Sequence, residues 1–198
     1  MIEVFGDIYC PFTHVSLRTL TGRRRDEGLD FRLRVRAWPL ELVNGEPLDP
    51  ELVAREVEAL RAQVDSSAFA AFDRERFPTT TLPALALASA AYERDMETGE
   101  RVSLVLRTAL FEEGRDIADR AVLEELAAAH GVEPPTDRHL ALVGAEWEAG
   151  RARGVEGSPH YFIGSWSRFS PTLDVREVDG RFDVSVDPAG LEELFGQI

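Results

Sequence analysis

The sequence predicts an α/β fold that is interrupted by a large all-helical insertion. Segments typical of strands and helices alternate at both ends of the chain, in the order β-α-β before residue 50 and β-β-α after residue 153. Between them, residues 50–153 show helical periodicity without a strand pattern. Parallel strands need a crossover connection, and the helical block fits as an enlarged crossover. We therefore expect one α/β domain built from residues 1–49 and 154–198, and a helical subdomain over residues 50–153.

The first three elements have clear local signals. Residues 2–5 are rich in β-branched and aromatic side chains, which predicts a strand. Pro11 suits the first position of a helix because its missing N–H would have no intrahelical partner there, and Gly28 can end that helix in the left-handed conformation. In residues 31–38 apolar side chains alternate with arginines, which is the period of a half-exposed strand.

The later elements follow from similar signals. Asp49 can cap a helix that begins at Pro50. Four further helices are predicted over residues 83–92, 101–111, 119–130 and 136–153. The chain then returns to strands at residues 160–163, 172–176 and 181–186, and ends in a helix at 188–195. The turn between the last two strands is predicted at Asp179-Gly180.

Charge and composition exclude several classes of function. The formal net charge of −14 is spread along the chain and would repel nucleic-acid phosphates and anionic membrane surfaces, so we expect neither as a partner. Every basic residue is arginine. The chain therefore lacks the lysine that Schiff-base chemistry or a phosphate-binding loop requires.

The single cysteine, Cys10, cannot form an internal disulfide or build a cysteine-rich metal site, and no metal is predicted. No run of ~18 apolar residues could span a bilayer. The first residues lead directly into a strand, without the pattern of a signal peptide, so a cytoplasmic protein is expected.

Cys10 lies between the first strand and the first helix, which places its sulfur at a helix N-terminus. Unpaired backbone N–H groups and the positive end of the helix dipole favour an anion there, so we expect the pKa of the thiol to lie below its ordinary value. This is a position for a nucleophile. The alternative is a small buried apolar side chain, as free cysteines usually are; the position at the helix start favours the functional interpretation.

Three polar side chains are predicted near Cys10. Thr13 could hydrogen-bond a thiolate, on Cys10 or on a bound thiol, or satisfy a backbone group in the first helical turn. A His14 imidazolium would lower the thiol pKa further and could act as acid or base. His160, which begins a strand, is an alternative for the same role, although a structural or exposed position is favoured for it.

The segment Gly157-Ser158-Pro159 precedes a predicted strand, and a proline there is compatible with a cis bond in a tight loop. Together with the segment 10–13 (Cys-Pro-Phe-Thr) and the long helical insertion, it resembles the DsbA-like thioredoxin superfamily. Residues 109–117 are similar to the insertion of the FrnE-like branch. The resemblance covers nearly the whole chain and implies a thioredoxin-like fold.

The resemblance also implies roles for individual residues. Cys10 would be the nucleophile, and Pro159 would be the cis-proline that packs against it and exposes backbone to a thiol substrate. The residues expected to bind substrate are Pro11, Phe12, Ser158, Pro159 and His160. Thr13 stands where the oxidoreductases of the family carry a second, resolving cysteine, so a two-cysteine cycle within the chain is not possible.

Three functional hypotheses remain open. The leading one is a monothiol oxidoreductase in which Cys10 attacks a disulfide or a thiol adduct, and a low-molecular-weight thiol, of glutathione or mycothiol type, resolves the mixed disulfide. The second rests on a resemblance to kappa-class glutathione transferases and 2-hydroxychromene-2-carboxylate isomerases, whose motif is Ser-Pro-Tyr-Ser; here Cys10 would only orient a bound thiol. The third is a non-catalytic binding protein. A homodimer is left open.

Overall fold

The computed structural model describes residues 1–47 and 49–198. Its main sheet has four strands in the order β2-β1-β3-β4. Their bounds are Ile2–Gly6 (β1), Leu33–Ala37 (β2), His160–Ile163 (β3) and Trp166–Phe169 (β4). Strands β1 and β2 are parallel, whereas β3 runs antiparallel to both β1 and β4. The central strand β1 therefore ends beside the start of β3, which brings the two ends of the chain together.

The α-helices account for about half of the chain. They are Pro11–Glu27 (α1), Leu40–Asn44 (α2), Pro50–Gln63 (α3), Leu82–Arg94 (α4), Met96–Phe111 (α5), Arg120–Ala129 (α6), Asp137–Ala152 (α7) and Pro188–Phe195 (α8). Short 3-10 turns lie at Ser67–Phe69 and Arg74–Arg76. A second sheet of two strands is formed by Leu173–Val178 (β5) and Arg181–Val186 (β6).

Helix α1 begins and ends where the sequence predicts. Pro11 occupies its first turn, and Cys10 precedes it with extended backbone. At the other end Gly28 adopts φ 65° and its N–H bonds the carbonyl of Arg24, which is the left-handed cap expected of a glycine. Arg24 and Arg25 lie in the last turn, where positive charge complements the helix dipole. Pro11 therefore marks the start of α1, and Gly28 marks its end.

The helical segment α3–α7 packs around α4, most of whose residues are buried. Helix α5 begins five residues earlier than predicted, because Asp95 caps it and accepts a hydrogen bond from the Thr98 N–H at 2.7 Å. Gly99 lets α5 approach α4 closely, since a Cβ there would lie 2.0 Å from the Tyr92 ring. The division into subdomains at residues 49/50 and 153/154 stays a prediction, and one buried cluster spans it, joining Tyr9 and Val15 to α3–α6.

Side chains from the helical segment cover the outer edge of β2. The backbone N–H groups of Leu33, Val35 and Ala37 donate hydrogen bonds to side-chain oxygens instead of to another strand. Their acceptors are Glu100 Oε2 at 2.8 Å, Tyr92 Oη at 2.9 Å and Glu146 Oε2 at 2.8 Å, from α5, α4 and α7. This edge strand is therefore fully engaged within the chain.

The C-terminal strands differ from the prediction. The segment Trp166–Phe169 was not predicted, yet it is the fourth strand of the main sheet; it is four residues long, too short for a clear alternation. The predicted strands near 172–176 and 181–186 do exist, but they pair only with each other, around the Asp179-Gly180 turn. They form a hairpin that Gln63 of α3 holds through hydrogen bonds to Phe182 O and Val184 N, both at 3.0 Å.

The close approach at Gly99 gives a test of the packing. We expect Gly99→Ala to lower the free energy of unfolding by roughly 1–3 kcal/mol, because the added methyl group must displace the buried Tyr92 ring. The control is Gly144→Ala in α7, where nothing lies within 4 Å of the added Cβ. That change should stabilise the protein by about 0.5–1 kcal/mol through helix propensity. Urea denaturation measures both, and equal effects would contradict this account.

Candidate active site

Cys10 lies at the N-terminus of α1, facing the loop that leads into β3. Its side chain is buried, with 4% of its surface exposed, and it is a free thiol. The thiol donates a hydrogen bond to the backbone carbonyl of Ser158, with 3.1 Å between sulfur and oxygen. The Ser158–Pro159 peptide bond is cis. The sulfur and this loop are therefore in direct contact, although 148 residues separate them in sequence.

Thr13 and Ser158 connect the same two segments by side chains. Thr13 Oγ1 and Ser158 Oγ lie 2.7 Å apart, and Ser158 Oγ also accepts a hydrogen bond from the Asp7 N–H at 2.9 Å. Gly6 is needed for this approach, because a Cβ there would lie 2.8 Å from Thr13 Cγ2. The hydroxyl of Thr13 thus reaches across to the loop rather than bonding within its own helical turn.

The expected lowering of the Cys10 pKa is wrong for this structure. Burial is the largest effect and raises the pKa of the thiol. Hydrogen bonds from the side chains of Thr13 and Ser158 and from the Thr13 backbone N–H lower the pKa of the thiol, whereas the charge of Glu56 on α3 raises it. The helix N-terminus is present as predicted, but the sulfur is shielded from water, so the resting form is the thiol.

His14 also differs from the prediction. Its Nε2 lies 2.9 Å from Ala68 O, and its ring stacks on Phe111 with 5.0 Å between centroids. Burial lowers the pKa of His14 to about 3, so the imidazole is neutral and does not supply the positive charge expected beside the thiol. The side chain instead anchors α1 to the helical segment.

His160 is held within the sheet. Its Nδ1 accepts a hydrogen bond from the Glu156 N–H at 3.1 Å, and its ring stacks on Phe162 with 4.8 Å between centroids. Burial lowers the pKa of His160 as well. Its Nε2 is buried and has no hydrogen-bond partner among residues 1–47 and 49–198. These contacts match the structural role that the strand position favours.

Two buried charged residues behind Cys10 were not predicted. Asp7 accepts hydrogen bonds from the backbone N–H of Tyr9 and of Leu40, and burial raises the pKa of its carboxyl. Arg107 of α5 is also buried; it donates to Ser103 and, at 3.3 Å, to the carbonyl of Asp7. Burial lowers the pKa of Arg107 to about 10. An arginine among the apolar positions of α5 is a sequence signal that could have revealed this pair.

A groove of about 630 Å³ opens beside the site. Phe12 and Ser158 are among its lining residues, and the Ser158 carbonyl is the group that Cys10 contacts. Its walls are largely apolar and come from Phe169 of β4 and from the hairpin, including Val175 and Val186. Arg168, the basic residue of the lining, is paired with Asp187 and Glu193. Of the residues expected to bind substrate, Phe12 and Ser158 therefore share a groove, and Pro11, Pro159 and His160 are not among the lining residues described.

The structure gives two findings on metals and membranes, both limited to residues 1–47 and 49–198. No three His, Cys, Asp or Glu side chains in this range cluster closely enough to hold a metal ion. None of the helices it contains has both the length and the apolar character needed to cross a membrane.

The parallel β1-α1-β2 unit, the antiparallel β3-β4 pair and a cysteine facing a cis-proline loop together define a thioredoxin-fold protein with a helical insertion. A family model described as the DSBA-like thioredoxin domain matches residues 1–182, so the chain belongs to that family. This confirms the fold class and the resemblance inferred from the sequence. No curated protein sequence matches the chain.

Solved structures show the same fold at low identity. A putative protein disulfide isomerase from Nitrosomonas europaea is 16% identical with a TM-score of 0.66, over 98% of this chain and 95% of the other. The cytosolic disulfide reductase DsbM from Pseudomonas aeruginosa, solved with GSH, is 18% identical with a TM-score of 0.57, over 98% of each chain. A 2-hydroxychromene-2-carboxylate isomerase is 15% identical with a TM-score of 0.57, over 85% of this chain and 87% of the other.

The role of Thr13 can be tested by titration. We expect Thr13→Val to raise the pKa of Cys10 further, by about one pH unit, because the hydroxyl that favours the thiolate is lost. The reaction with a small alkylating reagent then needs a correspondingly higher pH. Thr19→Val is the matched control on α1, since the Thr19 hydroxyl bonds only the Val15 carbonyl among the residues described. An unchanged alkylation profile in Thr13→Val would contradict the role assigned to the hydroxyl.

Proposed function

We propose that this chain is a thiol–disulfide oxidoreductase that works through Cys10 alone. The observation that carries the proposal is the contact between the Cys10 sulfur and the carbonyl of Ser158, a residue that also lines the groove. In the proposal, a disulfide bound in the groove displaces this carbonyl and so reaches the Cys10 sulfur. The family, whose structural relatives include a disulfide reductase, supports this class of reaction.

The reaction proceeds in two exchanges. The Cys10 thiol loses its proton as its sulfur attacks a disulfide R–S–S–R′; a Cys10 S–S–R bond forms, and R′S⁻ leaves and takes up a proton. A second thiol R″SH then attacks the mixed disulfide, forms R–S–S–R″ and restores the Cys10 thiol. No electrons are gained or lost by the protein over the cycle. The small thiol replaces the missing second cysteine.

The environment of Cys10 suits a transient thiolate. The first turn of α1 presents backbone N–H groups and the positive end of the helix dipole, and the Thr13 hydroxyl adds a donor. When substrate displaces the Ser158 carbonyl from the thiol, that carbonyl becomes free to accept a hydrogen bond from the bound partner. Thr13 cannot itself form a disulfide, so an external thiol must resolve the mixed disulfide.

The groove supports a small thiol as the resolving partner. Its volume lies within the range typical of small-molecule sites. Its largely apolar walls would contact the uncharged part of the thiol. DsbM, which shares the fold, has been solved with GSH. A thiol of glutathione or mycothiol type therefore fits the proposal.

A second candidate is an isomerase or transferase that uses a bound thiol cofactor. It is favoured by the burial of Cys10 as a thiol and by the Thr13–Ser158 hydroxyl pair, which could hold the sulfur of a bound thiol. The fold is shared with a 2-hydroxychromene-2-carboxylate isomerase. In this case Cys10 orients the thiol and forms no bond to it.

Formation of a mixed disulfide tests the leading proposal. Incubation of the native protein with oxidised glutathione at mildly alkaline pH should give one glutathionyl adduct at Cys10, which intact-mass spectrometry detects. Reduced thiol should remove the adduct, and Cys10→Ser should form none. If the native protein forms no adduct with oxidised glutathione or with a small aromatic disulfide, the proposed function is wrong.

The same substitution separates the two candidates. Cys10→Ser should abolish glutathione-dependent reduction of a model disulfide if Cys10 carries the exchange, because serine cannot form the mixed disulfide. A transferase or isomerase activity with glutathione that survives in Cys10→Ser would favour the second candidate. Steady-state rates of the native and substituted proteins, measured with both types of substrate, decide between them.

A further inference from the structure

The positive charge in the groove beside Cys10 is already paired. Arg168 is the basic residue among the lining residues described. Its Nη2 atom donates a hydrogen bond to Asp187 Oδ2 at 3.1 Å, and its Nη1 atom donates one to Glu193. Two carboxylates of the chain itself therefore hold this cation, and a carboxylate on a ligand would have to compete with both of them.

The two carboxylates that hold Arg168 have further partners on helix α8. Asp187 caps this helix, because its Oδ1 atom accepts a hydrogen bond from the Gly190 N–H at 2.9 Å. Glu193 accepts a hydrogen bond from Trp166 Nε1 at 2.9 Å. This bond and the contact with Arg168 lower the pKa of Glu193, so its carboxylate stays ionised at neutral pH. Arg168 is therefore tied to α8 at two points.

The other charges around the groove are mostly negative. Asp174 and Asp187 both line it. Asp174 pairs at 2.7 Å with Arg176, which is exposed and is not among the lining residues described. Over the hairpin, residues 173–186, four acidic residues outnumber two arginines. The electrostatic potential in the groove is therefore negative, and it repels anions.

The groove does offer apolar surface beside the cis-proline loop. Phe169 and Val186 line it, with 44% and 40% of their surfaces exposed. The ring of Phe169 lies against the backbone of Gly157, where a Cβ would come within 2.7 Å of the ring. This places an exposed aromatic side chain next to Ser158, whose carbonyl contacts the thiol of Cys10. Such a surface suits an uncharged group on the ligand.

We propose that the groove selects thiols and disulfides without carboxylate groups, and that the thiol that resolves the Cys10 mixed disulfide is of this kind. Glutathione carries two carboxylates and one ammonium group, whereas a thiol of mycothiol type carries neither. The inference rests on the proposed function and chooses between the two types of thiol that it admits. Oxidised glutathione still reacts with Cys10, but more slowly than an uncharged disulfide.

Exchange with three disulfides of different charge tests the selection. The reduced native protein is mixed with cystamine, bis(2-hydroxyethyl) disulfide or 3,3′-dithiodipropionate, whose ends are ammonium, hydroxyl and carboxylate groups. Intact-mass spectrometry follows the Cys10 S–S–R bond, which forms as RSH leaves. Each rate is divided by the rate of the same reagent with a small uncharged thiol, because the leaving thiols differ in pKa.

The carboxylate reagent should be the slowest of the three on this scale. At low salt we expect it to react about tenfold more slowly than the hydroxyl reagent, because the negative potential excludes it. The ammonium reagent should react at least as fast as the hydroxyl reagent. The differences should shrink at about 1 M salt, where charges are screened over a few ångströms.

Two variants of the hairpin locate the effect. Asp174→Asn removes a charge that lines the groove, whereas Asp179→Asn removes one at the turn, outside the lining residues described. Asp174→Asn should speed the carboxylate reagent about threefold, which is the effect of one charge about 6 Å away in water. Asp179→Asn should leave its rate unchanged.

Two results would overturn the proposal: a carboxylate reagent that reacts as fast as the hydroxyl reagent, or equal effects of the two variants. If none of the three reagents forms an adduct, the proposed function itself is wrong, and this inference is wrong with it. The two failures are therefore distinguishable.

Discussion

The hydrogen bonds of Ser158 hold the two ends of the chain together at the site. Its hydroxyl joins Thr13 at the start of α1 and the Asp7 backbone after β1, and its carbonyl accepts from the Cys10 thiol. The positions of the sulfur, of the cis-proline loop and of the groove wall at Ser158 all depend on this small set of contacts. Gly6 allows the contacts to form, because no side chain fits between β1 and Thr13.

Cys10 differs from an exposed cysteine at a helix N-terminus because its sulfur is buried. The backbone N–H groups and the dipole of α1 favour the anion, but the shielding of the sulfur from water disfavours it more. Positive charge does not offset this burial, since His14 is neutral and is held by Ala68. Arg107 lies deeper and is directed towards Ser103 and Asp7. Burial therefore determines the resting form of Cys10, despite its place at a helix N-terminus.

Much of the architecture could be predicted from local signals. Pro11, Gly28 and Asp49 mark helix ends by backbone chemistry that acts over one turn, and the alternation over residues 31–38 predicts β2. The separation of the hairpin from the main sheet could not be predicted in the same way, because the hairpin packs on α3 through Gln63, which is more than a hundred residues away. The strand Trp166–Phe169 is too short to show a period.

In the site, too, local motifs could be predicted, whereas properties that depend on packing could not. The positions of Cys10, Thr13 and Ser158 follow from motifs at two element boundaries, and the resemblance to a family brings the two together. The direction of the Cys10 pKa could not be predicted, because burial is a property of the packed chain. His14 was assigned beside the sulfur from its place in the sequence, but helical geometry turns its ring towards Phe111.

The covered edge of β2 has a consequence for how this chain can associate. Glu100, Tyr92 and Glu146 occupy the N–H groups that another polypeptide would use to extend the sheet. Addition of a foreign strand at β2 would have to displace these three oxygens from the backbone N–H groups that they accept from. Self-association and fibril growth by strand addition are therefore blocked on this side, and any homodimer must be formed by side-chain contacts or at another edge.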